Sequence, residues 1–126
     1  MAKHWFTPDT ARLALDALRP AAETLCRLYR ALECARPARI LPDQRVDPAY
    51  FDLVRRLHAT LGEIRRRGVR VHDLKRGRLG FPARRAGRQV VLCWQVGEAT
   101  LGYWHEPEDG VDGRRIVDED GPWEET

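Results

Sequence analysis

Residues 102–115 read GYWHEPEDGVDGRR, which sets two aromatics, one histidine, four acids and two arginines within fourteen positions. Imidazole titrates near neutrality and carboxylates take up protons or cations. His105 with Glu98 or Asp73 therefore holds the residue types for acid–base work or for a divalent metal. Trp104 adds a stacking and cation–π face, and Arg114 adds a fork for anions. Asp73, Glu98, Trp104, His105, Glu106 and Arg114 form the candidate functional surface. The spacing matches no reaction-specific signature: there is no nucleophile elbow, phosphate loop or metal-ligand cluster. No metal and no cofactor is assigned, and an enzymatic role is left open.

The elements that must carry these residues follow from periodicity. FTPDTARLALDAL opens a helix, with Thr7 as N-cap, Pro8 in the first turn and Asp9 at the positive helix end. Leu15, Leu18, Ala22, Leu25, Tyr29 and Leu32 then form a heptad-like seam over residues 8–35, with a kink or break expected near Pro20. ARPARILPDQRVDP reads as a stiff connector. A second helix over 47–67 starts on Asp47 and Pro48, repeats the seam at Tyr50, Val54, Leu57, Leu61 and Ile64, and stops at Gly68. Two such seams zip into an antiparallel helical hairpin, and a homodimer through the helices is the expected assembly.

After Gly68 the period shortens, and residues 69–105 read as an antiparallel β-meander of three to four strands. Helices followed by strands give an α+β domain, here a single one over residues 1–117, with a flexible acidic tail at 118–126. A two-residue hairpin with Gly97 and Glu98 in the turn pairs Trp94 with Leu101, Leu92 with Tyr103 and Val90 with His105. Treating RRAG as the preceding loop places Phe81 opposite Val90 and Leu79 opposite Leu92, on the same apolar face. This register turns Tyr103 towards the helices and Trp104 away. It leaves His105 at the rim of the apolar face, across the sheet from Cys93, and sends His105 and Glu106 to opposite sides. Asp73 falls on the Val69 and Val71 face and needs a partner there, with Arg88, Arg114 and Arg115 as candidates.

The chain has 126 residues, enough for one domain, with 43% hydrophobic and 33% charged residues. No apolar run is long enough to span a bilayer and no signal core opens the sequence, so a cytoplasmic protein is expected. Cys26, Cys34 and Cys93 lack metal-ligand spacing and read as reduced thiols. The formal charge of +3 divides unevenly: residues 1–105 carry +10 and residues 106–126 carry −7. Arg55, Arg65, Arg66, Arg67, Arg76, Arg84 and Arg85 form a candidate basic surface for a polyanion, which the acidic tail would shield in cis.

The segments GVRVHDLKRGRLGFPARRAGRQVVLCWQVGE and YWHEPEDGVDGRR, with the proline at Pro20, resemble the uncharacterised bacterial proteins grouped as domain of unknown function 2203. The positions that match its signature are Gly68, Asp73, Leu74, Phe81, Pro82, Gly87, Cys93, Trp94, Gly97, Glu98, Trp104, His105, Gly110, Gly113 and Arg114. The resemblance implies that this surface matters without naming its chemistry. Relatives often read DFP where this chain has GFP, so Gly80 removes a carboxylate, and the acidic extension after Val117 is peculiar to this chain. The leading expectation is a small binding or adaptor module acting through the end of the last strand, with a protein or small-molecule partner. The alternatives are a nucleic-acid-binding module using the Arg-rich second helix and turns, and a small metal-assisted enzyme centred on His105.

Overall fold

The computed structural model describes residues 4–35 and 47–125. Two helices, α1 (Pro8–Ala35) and α2 (Pro48–Arg66), precede five short strands: β1 (Arg70–Asp73), β2 (Arg78–Arg85), β3 (Arg88–Gln95), β4 (Tyr103–His105) and β5 (Arg115–Ile116). The strands form one antiparallel sheet in the order β1-β2-β3-β4-β5, so the α+β meander has five strands, where three to four were expected.

Both helix starts are built as the residue types dictate. The Thr7 and Thr10 hydroxyls each accept from the other's backbone N–H, at 3.2 and 2.8 Å, closing a reciprocal capping box. Asp47 accepts from the Ala49 N–H at 2.9 Å, with Pro48 where a missing donor costs nothing. α2 ends as Gly68 takes a left-handed φ of +80° and its N–H returns to the Arg65 carbonyl. The end of α2 lies beside the start of α1, as Thr10, Leu13 and Arg67 lining one depression show. α1 runs unbroken through Pro20, which points into solvent, correcting the expected break. Apart from Asp47 and Pro48, the connector between the helices lies outside the described residues.

Leu15, Leu18, Ala22 and Leu25 of α1, with Leu61 and Ile64 of α2, meet one row of side chains from the sheet: Leu79, Phe81, Ala83, Val90, Leu92, Trp94 and Trp104. Two register corrections decide who stands in that row. β2 and β3 are joined by a two-residue turn in which Ala86 and Gly87 both have positive φ, +50° and +78°, the pattern whose twist suits a tight hairpin. Phe81 therefore pairs with Leu92 and Leu79 with Trp94. This is two residues from the expected register, so the same face stays apolar.

The second correction reverses a face. β3 and β4 are not joined by a tight Gly97–Glu98 hairpin; Leu92 pairs with Trp104 and Val91 with His105. The cause is the intervening loop. Leu101 is drawn fully into the core, its carbonyl accepts from the Arg12 side chain at 3.0 and 3.2 Å, and Arg19 reaches the Glu98 and Ala99 carbonyls. A one-residue offset moves every side chain of a strand to the other side. Trp104 thus joins the core at 5% exposure and Tyr103 turns outward, the reverse of the sequence reading.

Residues 118–125, expected as a flexible tail, lie against the sheet. Trp123 forms an antiparallel bridge with Arg85, and Glu124 donates its N–H to the Arg84 carbonyl at 2.9 Å.

Candidate functional site

β4 presents His105 on the sheet face away from the helices, opposite Val91 and only 3% exposed. Its Nδ1 lies 2.7 Å from the Glu106 carbonyl. A carbonyl can only accept, so Nδ1 carries the hydrogen in this contact. The Glu106 carboxylate turns to Arg88, 3.3 Å away. His72 stands beside His105, with ring centroids 6.5 Å apart.

His72 reaches that position because of two local features. A β-bulge interrupts the β1–β2 register between Val71 and Asp73. Position 80 below it is glycine: a Cβ there would lie 2.6 Å from His72 Nε2 and 3.1 Å from Val91 Cγ1. The His72 ring thus takes the space that a side chain at position 80 would enter. Burial, then the charges of His105, Arg70 and Arg78, hold the His72 pKa below the usual imidazole value.

The same bulge re-aims Asp73. Its partners are Arg76, which gives it both a backbone N–H at 3.0 Å and a guanidinium contact at 3.2 Å, and Arg78 at 3.9 Å. Arg88, Arg114 and Arg115, the partners expected for it, lie elsewhere. The hydrogen bond from the Arg76 N–H, more than the cationic neighbours, keeps the Asp73 carboxyl below its ordinary pKa.

Glu98 and Arg114 form a bonded pair at 2.7 and 3.0 Å, and Arg114 also stacks 4.0 Å over Tyr103. Glu98 further accepts the Gln95 N–H at 2.8 Å, and its carbonyl accepts the Trp94 indole N–H at 2.9 Å. These contacts fasten the β3–β4 loop. The candidate surface is therefore dispersed: Trp104 is in the core, Asp73, Glu98 and Glu106 are engaged by arginines, and of the six only His105 stands on the outer face without an arginine partner. Asp73, Glu98 and His105 do not converge, and among the described residues no group of three His, Cys, Asp or Glu side chains forms a metal-holding cluster. Cys93 is buried on the outer face, and burial raises its thiol pKa.

Two depressions meet at the β1 edge. One, of about 190 Å³, is lined by Arg70, His72, Gly80, Pro82, Gln89, Val91 and Pro107. The other, of about 520 Å³, is lined by His4, Arg65, Gly68, Val69, Arg70, Val71 and Pro82. They share Arg70 and Pro82 and adjoin as one groove from the end of α2 onto the outer sheet face, and none of the described residues lining it is a carboxylate. The basic surface divides in the same way. Arg55 pairs with Asp52, Arg76 with Asp73, Arg84 with Glu124 and Arg85 with Asp118. Among the described residues, Arg65, Arg66, Arg67 and Arg70 have no carboxylate partner within 4 Å. Gln89, His4 and Pro107 are lining residues that no sequence pattern marks, whereas Arg70 belongs to the basic tract legible in the sequence.

No curated protein and no solved structure matches this chain. A family model described as an uncharacterized conserved protein matches residues 4–117, which include the groove, the two histidines and the whole core sheet. The chain belongs to that family, domain of unknown function 2203.

Proposed function

We propose that the protein is a binding module for a small anionic ligand, held in the groove between the end of α2, β1 and the outer face of the sheet. One observation carries this reading: Arg65 and Arg70 line a groove with no carboxylate among its described lining residues, whereas the arginines at Asp73, Glu98, Glu106 and Asp118 are paired. A guanidinium without a partner is a fork for phosphate or carboxylate. The larger depression has the size of a small-molecule site. His72 and Gln89 add polar groups at the far end. From the end of the last strand only Pro107 borders this groove, so the centre of the proposed site is β1.

Isothermal titration with pyrophosphate and nucleoside phosphates, read beside Arg65→Glu and Arg70→Glu, tests the reading. Each reversal is expected to weaken binding by tenfold or more; equal affinity in wild type and in both variants would sink it. A second reading, nucleic-acid binding, is favoured by Arg66 and Arg67, which extend the unpaired charge beyond the groove. It predicts a steep fall of affinity for generic RNA or DNA with salt, and no binding of mononucleotides.

A further inference from the structure

The segment after Val117 lies outside the family match, yet it is seated on residues within it. Arg85 continues the inner row Leu79, Phe81 and Ala83 beyond the core. Its guanidinium is 4.9 Å from the ring centroids of both Trp104 and Trp123 and 2.7 Å from the Asp118 carboxylate. The Trp123 and Trp104 rings meet in a T-shaped pair, with centroids 5.9 Å apart and planes at 90°. On the helix side, Arg12 grips Glu119 through two nitrogens at 2.6 and 2.9 Å. The backbone takes part too: the Ala86 N–H donates to the Pro122 carbonyl, and the Glu124 N–H to the Arg84 carbonyl. Glu124 also accepts the Gly87 N–H.

These are the three components by which a surface recognises an extended peptide: a strand-like backbone bridge, an aromatic anchor and flanking charge pairs. Arg12, Arg84, Arg85 and Trp104 are all present without the segment that covers them. We propose that the end of the β2–β3 hairpin, with the start of α1, is a docking site for an extended acidic, tryptophan-bearing segment of a partner protein, which residues 118–125 fill in cis. The site is separate from the anion groove and does not rest on it. Its chemistry selects peptide over phosphate, because the indole sits in the Arg85–Trp104 corner and backbone groups bond on both sides of it.

A tethered segment competes with a free one at an effective concentration on the order of millimolar. The test uses the full chain and a labelled peptide of residues 118–126, DEDGPWEET. Fluorescence anisotropy is expected to show the peptide binding the Trp123→Ala chain at least tenfold more tightly than wild type. The double variant Asp118→Lys, Glu119→Lys, which releases the tethered segment by charge, should behave alike. The same peptide with its tryptophan replaced by alanine should bind the released chains at least tenfold more weakly. Arg85→Glu in the Trp123→Ala background should abolish binding. If that variant fails to fold, the two peptides compared on one protein still decide. No binding to either released chain, or equal binding of the tryptophan and alanine peptides, overturns the proposal.

Discussion

Trp104 stands opposite Leu92 across β3 and β4 and so belongs to the row that packs on α1. Its neighbour Tyr103, paired with Cys93, faces outward under Arg114. Trp104→Ala should therefore cost about 3–5 kcal/mol of stability, as a large buried aromatic does. Tyr103→Ala should cost well under half of that. Urea denaturation of the two variants checks the order; a larger loss at Tyr103 would restore the tight-hairpin register.

Glu98→Ala removes acceptors from Arg114 and from the Gln95 N–H at once, in a partly buried setting. An expected loss of about 2 kcal/mol follows from leaving such groups unpaired. Because the pair lies away from the groove, anion affinity should stay within a factor of two. Thermal denaturation and ligand titration on one preparation separate the two effects, and a selective loss of affinity would return Glu98 to the binding site.

Gly80→Ala should push the His72 ring off the sheet, since the new methyl would lie 2.6 Å from Nε2. His72 is exposed and can swing out, so the cost is expected to be about 1 kcal/mol. Histidine ring resonances in NMR spectra should move for both His72 and His105. Unshifted His105 signals would mean that the two rings are not in contact.

The pH dependence of stability has a definite sign at His72. Its folded pKa lies below the ordinary 6.5, chiefly because the protein on one side of the exposed ring partly desolvates it, with His105, Arg70 and Arg78 facing it. As pH falls through the ordinary value, the unfolded chain binds the proton and the folded chain does not yet. This contribution to stability is full above that pH, is lost on acidification, and levels off below the folded pKa. His72→Gln should remove that part of the slope, and NMR titration should place the wild-type ring below the ordinary value. An anion in the groove should move it upward.

The homodimer through the helices is carried forward on Leu13 and Phe51, 71% and 60% exposed on α1 and α2. Light scattering at micromolar concentration should give twice the mass of one chain, and Phe51→Arg should return it to one. A monomer in the wild type removes the proposal.

The helices were legible because their signals are local: a threonine or aspartate followed by proline to start, apolar spacing of three and four, and a glycine to stop. The inner rows of β2 and β3 were legible because a two-residue register error preserves the side-chain period. β4 was not, since its register depends on Arg12 and Arg19 reaching from α1 to carbonyls about 80 to 90 residues away. No short-range pattern contains that contact. The same distance hid the groove, which is assembled from a helix end, an edge strand and His4.

Arg12 bonds the Leu101 carbonyl and the Glu119 carboxylate with one side chain, at 3.0 Å and 2.6 Å. Three stretches remote in sequence are thereby riveted together, and their fluctuations become a shared event. Amide exchange around Leu101 and in residues 118–125 should proceed at matching opening free energies, and Arg12→Ala should accelerate both by a similar factor.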